Sequence, residues 1–158
     1  MPRIARVTTE NGCYHIISRG NQKQPVFLKG EDYEKYLSLL YKYKERYNFK
    51  LYSFCLMPNH VHLVIEVGIP SLLKKVLHGL NLSYSQYFNF KYDKVGHLWQ
   101  DRFKSRLIEK DNYLLGCINY IENNPLRAGL VSRIKEYPWS SYIYRQRNIS
   151  ILDNPFIF

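Results

Sequence analysis

The sequence divides into short stretches with apolar residues at alternate positions and longer stretches with apolar residues at helical spacing. The short stretches predict four β-strands, over residues 13–19, 50–57, 60–67 and 99–108. Pro58 and Asn59 separate the second stretch from the third, and this pair of residues is typical of a tight turn. The second and third strands are therefore expected to pair as a hairpin.

The longer stretches predict three helices. Residues 31–48 have a broad apolar and aromatic side after an acidic first turn, and residues 70–91 have apolar residues at helical spacing and no acidic residue. A third helix of roughly ten residues is expected after Asp111, which is a suitable N-cap. This helix should end near Asn124, because Pro125 disfavours helical geometry in the residue before it.

The predicted order of elements is β, α, β, β, α, β, α. A β-hairpin flanked by helices indicates an α+β fold of the split-βαβ kind, in which helices pack on one face of an antiparallel sheet and the other face stays open. The length of 158 residues favours a single domain over residues 1–158, with residues 145–158 as a C-terminal tail.

The composition indicates what kind of partner the protein binds. Lysine and arginine number 23 and aspartate and glutamate 13, and the resulting formal net charge of +10 favours a polyanionic partner. The sequence also contains 15 tyrosines. Aromatic rings stack on bases while cations follow the phosphate backbone, so this composition suits single-stranded nucleic acid.

Several classes of protein are disfavoured by patterns that the sequence lacks. No run approaches 18 apolar residues, and the N-terminal segment has no apolar core of a secretory signal. Cys13, Cys55 and Cys117 are too widely spaced for a four-cysteine zinc site or a disulfide framework. No glycine-rich phosphate loop is present, so a nucleotide cofactor is not expected. These features predict a reduced, cytoplasmic protein that does not enter a membrane.

His60 and His62 form the sharpest candidate site. Side chains alternate along a strand, so both imidazoles point to one face, roughly 7 Å apart at Cα, while Val61 and Leu63 point to the core. Two such imidazoles can ligate one metal ion. The alternative interpretation is two polar residues on an exposed strand face.

Tyr120 and Asn124 form a second candidate pair. On a helix, residues four apart share a face, and a buried stripe containing Ile118 and Ile121 would leave Tyr120 at the edge of the core. Its hydroxyl is then a candidate nucleophile. The alternative is a tyrosine that only packs, and Pro125 puts the helical geometry of Asn124 in question.

Three cations alternate along the last predicted strand. Arg102, Lys104 and Arg106 would share one face, where they either pair with phosphates or form a solvated surface. Arg19, after the first strand, can extend such a track.

Four segments together resemble the REP-associated tyrosine transposases, which belong to the single-tyrosine HUH transposase superfamily of bacterial insertion sequences. The segments are LMPNHVHLVIE, GHLWQDRFKS, YIENNPLRAGLV and YPWSSY, and they occur in the order that the family shows. The similarity runs from Tyr14 to Tyr142, and the apolar tail after Arg147 lies outside it.

The resemblance implies a ferredoxin-like, RRM-like HUH endonuclease fold and a divalent metal, Mg²⁺ or Mn²⁺. His60 and His62 are the implied metal ligands, Asn124 the third through its amide oxygen, and Tyr120 the nucleophile. The implied reaction is cleavage of single-stranded DNA near a hairpin, which leaves a 5′-phosphotyrosine and a 3′-hydroxyl and is reversed by rejoining. We expect the DNA contacts to include Arg19, Lys104 and Arg106.

Two other functions remain open from the sequence. The tyrosines and the basic surplus would also serve a catalytically silent module that binds single-stranded nucleic acid. A metal-dependent nuclease that activates water would not need Tyr120. Relatives work either as monomers or as dimers with exchanged helices, and a monomer is expected here.

Overall fold

The computed structural model describes residues 5–110, 112–149 and 151–155. The strands are β1 (Gly12–Arg19), β2 (Lys50–Met57), β3 (His60–Val67) and β4 (Lys104–Ile108). The helices are α1 (Gly30–Tyr47), α2 (Pro70–Lys91), α3 (Asn112–Glu122), α4 (Asn124–Arg127) and α5 (Ser141–Gln146). The predicted N-cap of α3, Asp111, lies outside the described residues.

The four strands form one sheet in the order β2-β3-β1-β4, and all neighbouring strands are antiparallel. The predicted α+β architecture and the β2–β3 hairpin are both confirmed. The last strand is shorter than predicted, because only Lys104–Ile108 pairs regularly with β1. Asp101 has a φ of 53°, and this left-handed residue interrupts the extended chain before β4. Ahead of it, Trp99 makes only an isolated bridge to Gly20.

The main core lies between the sheet and the two long helices. The β3 residues that alternate with the histidines are all buried on this face, as the sequence pattern predicts: Val61, Leu63, Ile65 and Val67. Tyr36 of α1 and Tyr84 of α2 meet edge-on above them, with ring centroids 5.4 Å apart. No helix in the described part of the chain has the length and apolarity required to cross a bilayer.

The opposite face of the sheet carries a second, smaller core. Buried residues of α3 pack there against Cys55 and Val64 of the sheet, and they are Leu114, Ile118 and Ile121. The two long helices share one face as predicted, whereas α3 packs on part of the face that the sequence predicted to be open. This helix covers the β2 side and leaves the β1–β4 side of that face open to solvent.

The described residues of the C-terminal tail pack back on the domain. Ile151 is buried in the main core. The Asp153 N–H donates to the carbonyl of Leu51 at 2.7 Å, and the Asp153 carboxylate accepts the Leu51 N–H at 2.8 Å. Lys44 of α1 pairs with the same carboxylate at 3.0 Å. The tail therefore extends the β2 edge and ties it to α1.

Asp32 is a fully buried carboxylate that joins the start of α1 to the end of α2. Its partners are the backbone N–H groups of Leu28 and Lys29, the hydroxyls of Tyr87 and Tyr92, and the Lys91 ammonium. Burial raises the pKa of Asp32, but the hydrogen bonds from Tyr92, Lys91 and the backbone outweigh burial and hold its pKa well below the ordinary aspartate value.

We expect Asp32→Asn to lower the free energy of unfolding at pH 7 by about 3 kcal/mol, because it breaks a buried ion pair. A lowered pKa stabilises the folded state above the unfolded pKa of about 4, and that contribution disappears as the pH falls. The difference in the free energy of unfolding between the wild type and the variant, measured by urea unfolding, should therefore be smaller at pH 3 than at pH 7. Glu31→Gln is the matched control, because Glu31 is exposed and contacts Lys91 at 3.5 Å. This substitution should lower the free energy of unfolding by less than about 0.5 kcal/mol. Equal costs for the two variants would contradict a special role for Asp32.

Candidate active site

The histidine pair lies on the sheet face opposite the main core. The β1–β3 register sets His60 against Arg19 and His62 against Ile17, and paired residues point to the same face. The His60 and His62 rings are 4.9 Å apart between centroids and nearly perpendicular, at 78°. The strand alternation predicted from the sequence therefore holds, and the two imidazoles stand side by side.

Each imidazole of the pair has a hydrogen-bond partner for its Nδ1 atom. His60 Nδ1 lies 2.7 Å from the side-chain oxygen of Asn59, so Nδ1 donates and Nε2 keeps its lone pair. His62 Nδ1 lies 2.9 Å from Nε2 of His15 on β1. Asn59 belongs to the turn between β2 and β3, so the hairpin that carries His60 also supplies its partner.

The three histidines are neutral at physiological pH. Burial lowers the pKa of His15 to about 4, with a further contribution from Arg106. Burial also lowers the pKa of His60 to about 4, aided by Arg19, and that of His62 to about 3, aided by the two neighbouring histidines. A neutral imidazole is the form that binds a metal ion.

Tyr120 lies near the end of α3 with just over half of its surface exposed, 55%, while the adjacent Ile121 is fully buried. The predicted position at the edge of the core is confirmed. The Arg127 guanidinium lies 3.9 Å from the centre of the Tyr120 ring and donates to the Tyr120 carbonyl at 2.7 Å. These two contacts hold the ring of Tyr120 on the outer side of α3.

An open groove of about 730 Å³ runs between α3 and the β1–β4 side of the sheet. Tyr120 and Cys117 line it from α3, and His15, Lys104 and Arg106 line it from the strands. His15 in turn contacts His62. Tyr120 and His15, the hydrogen-bond partner of His62, therefore line one groove of a single chain.

Asn124 is half-buried and starts α4, after α3 has ended at Glu122. Pro125 has no N–H to donate to the carbonyl four residues before it, so the regular helix is interrupted at Asn123. Tyr120 and Asn124 thus belong to successive helical segments, and the four-residue spacing does not by itself define their relative direction.

The predicted cations of the strands lie on the histidine face. In the strand registers, Arg19 lies opposite His60, Lys104 lies opposite Ile17, and Arg106 lies opposite His15. The three cationic side chains are exposed. Arg102 differs from them because it precedes β4 and lines a separate groove beside α2.

Glu122 anchors the end of α3 and was not singled out by the sequence patterns. Its carboxylate is buried and accepts hydrogen bonds from Ser141 and, at 2.7 Å, from Arg145 of α5. The Ser141 hydroxyl oxygen also accepts the N–H of Phe54 on β2 at 3.0 Å and lies 3.1 Å from the Phe54 carbonyl. The segments YIENNP and YPWSSY are therefore in contact, although nothing in either segment alone identifies the other as its partner.

Among residues 5–110, 112–149 and 151–155, no group of three or more His, Cys, Asp or Glu side chains is arranged to hold a metal ion. A metal at the histidine pair would need additional ligands of another kind, such as an amide oxygen, water or a substrate oxygen.

Comparison with known proteins identifies the class. The family model for IS200-like transposases matches residues 8–124. A REP-associated tyrosine transposase of Haemophilus influenzae is 30% identical over 154 residues, which cover 90% of this chain and 86% of that protein.

Two solved structures share the fold. One is a REP-associated tyrosine transposase bound to a REP hairpin, with a TM-score of 0.74, 17% identity, and coverage of 97% of this chain and 89% of that one. The other is a transposase from Deinococcus radiodurans, with a TM-score of 0.51, 19% identity, and coverage of 77% and 97%. The chain thus belongs to the IS200-like transposase family and, within it, to the REP-associated tyrosine transposases.

We expect Glu122→Ala to destabilise the protein by about 3 kcal/mol, because Ser141 and Arg145 lose a buried anionic partner. Amide hydrogen exchange should accelerate more in α3 than in α1, since the contact holds the end of α3 on β2. Glu136→Ala is the control, because its contact with Arg133 at 3.7 Å is exposed and should contribute less than about 0.5 kcal/mol. Uniform acceleration across both helices would argue against a local anchor.

Proposed function

We propose that this transposase cleaves and rejoins single-stranded DNA at the foot of a hairpin, with Tyr120 as the nucleophile. The main support is the sheet register, which gathers His60 and His62 on the face whose groove Tyr120 lines. A REP hairpin is the substrate that the structural relative suggests. Because α3 packs on the sheet of its own chain, one copy carries all of these groups and a monomer suffices.

A divalent metal ion, Mg²⁺ or Mn²⁺, fits the donor set at the histidine pair. His60 and His62 would hold it through Nε2, and the resemblance adds the amide oxygen of Asn124. The Asn59 contact leaves His60 Nε2 free, as this role requires. The bound ion would polarise the scissile phosphate and stabilise the charge that develops during the reaction.

The proposed step is a transesterification in which phosphodiester bonds are conserved. The Tyr120 oxygen forms a bond to the phosphorus and loses its proton to solvent, and the bond from phosphorus to the 3′-oxygen breaks. That oxygen takes up a proton and leaves as a 3′-hydroxyl. A 3′-hydroxyl then reverses the step and releases Tyr120, so no nucleotide cofactor is needed.

The exposed cations of β1 and β4 have a separate role in this proposal. Arg19, Lys104 and Arg106 would pair with backbone phosphates, which positions the strand without selecting its sequence. Lys104 and Arg106 line the same groove as Tyr120, and Arg19 lies opposite His60 on the neighbouring strand.

We expect labelled single-stranded hairpin DNA and Mn²⁺ to give a covalent protein–DNA adduct on a denaturing gel. Tyr120→Phe should abolish the adduct, and His60→Ala should reduce it by at least about 100-fold, because each removes a group that acts in the transition state. Tyr113→Phe, an exposed tyrosine of the same helix, should still form it. Cleavage that survives Tyr120→Phe would indicate a nuclease that activates water. Binding without cleavage across several hairpins and metals would indicate a silent binding module.

We expect alanine variants of Lys104 and Arg106 to weaken DNA binding uniformly across sequences. Each should reduce the slope of log K against log salt by about 0.7, the value for one phosphate contact on a single strand. Lys42→Ala is the charge-matched control, because Lys42 is exposed on α1, on the other side of the sheet. An unchanged slope for the strand variants would exclude them as phosphate contacts.

A further inference from the structure

The contact between His15 and His62 has no role in the reaction described above. The β1–β3 register pairs His15 with Val64, two residues along each strand from the Ile17–His62 pair. His15 is therefore the diagonal neighbour of His62 on the same face, a distance that ring side chains can bridge. The rings are stacked, with centroids 5.1 Å apart and planes 26° apart, and His15 Nε2 lies 2.9 Å from His62 Nδ1.

The direction of this hydrogen bond decides which nitrogen of His62 can bind a metal. A neutral imidazole has one protonated nitrogen and one with a lone pair. If His62 Nδ1 donates to His15, Nε2 of His62 keeps the lone pair. If His15 donates instead, His62 carries its proton on Nε2 and cannot ligate through that atom.

We propose that His15 is a positioning residue that accepts the Nδ1–H of His62 and so makes Nε2 of His62 a metal ligand. The proposal rests on the metal-assisted function above. His60 supports it, because Asn59 accepts from Nδ1 of His60 and leaves the same nitrogen, Nε2, for the ion. Both rings of the pair then present equivalent atoms, and each has an acceptor behind it.

Few groups other than His15 could determine which nitrogen of His62 carries the proton. Only 5% of its surface is exposed, so water has little access to the ring. Its sheet neighbours Ile17 and Cys55 do not offer a strong acceptor. Within the part of the chain that the structure describes, the polar contact of the His62 ring is its hydrogen bond with His15.

The test uses the metal-free protein at pH 7.5 and long-range ¹H–¹⁵N correlation of the histidine rings. We expect His62 in the wild type to carry its proton on Nδ1. His15→Phe keeps an aromatic ring but removes the acceptor, and His62 should then shift towards the Nε2–H form. His15→Gln places an amide oxygen near the former Nε2 position and should restore the wild-type form.

Mn²⁺ affinity, measured by calorimetry without DNA, gives a second readout. We expect His15→Phe to bind Mn²⁺ about 10- to 100-fold more weakly, the usual effect of losing the group behind a metal ligand, and His15→Gln to recover most of the loss. His78→Gln, on α2, is the control and should bind like the wild type. Thermal unfolding of each variant separates a folding defect from this effect.

The outcomes distinguish this inference from the proposed function. If the wild type binds no Mn²⁺, or if His60→Ala binds it equally well, the metal site itself is wrong. If His60→Ala loses binding while His15→Phe keeps both the affinity and the His62 tautomer, the metal site stands and the role of His15 is overturned. Equal losses in His15→Phe and His15→Gln, with an unchanged His62 tautomer, would also overturn it.

Discussion

The antiparallel register of β1 against β3 is the constraint on which the site depends. It sets Arg19 beside His60 and brings His15 within reach of His62. A slip of one residue would turn one strand's alternating side chains to the opposite face and bury the imidazoles under α1 and α2. The apolar row that starts at Val61 and Leu63 prevents this slip, because it would expose that row to solvent. The core thus fixes the register, and the register fixes the chemistry.

The nucleophile depends on a different set of contacts. Tyr120 is on a short helix that is not part of the main core, and the position of that helix is set by its apolar stripe and by Glu122. The partners of Glu122 reach it from α5 and connect it to the backbone of β2. The histidines and the tyrosine therefore sit on separately stabilised parts of one face.

The sequence predicted most strands and helices correctly, but it did not predict which distant residues contact one another in the fold. The strand carrying His60 and His62 and the two long helices follow from periodicity, which is a local property. The prediction that β4 begins before Lys104 was wrong, because Asp101 has a left-handed conformation that an alternating sequence pattern does not reveal. His15 could be assigned to a strand, but its neighbour depends on the register between strands. Tyr120 could be selected from 15 tyrosines only through a family resemblance, since its local pattern is that of an ordinary edge residue.

Asn59 links the backbone of the hairpin to one ring of the candidate site. Its carbonyl accepts the N–H of Gly20 at 2.8 Å while its side chain accepts from His60. A Cβ on Gly20 would collide with the carbonyl of Gln24, so the backbone is tightly packed where Gly20 meets the turn. Connections between strands ordinarily tolerate changes in length over evolution. Here an inserted or deleted residue would rotate an imidazole as well as reshape the loop, so this turn should keep a constant length even where the rest of the sequence diverges.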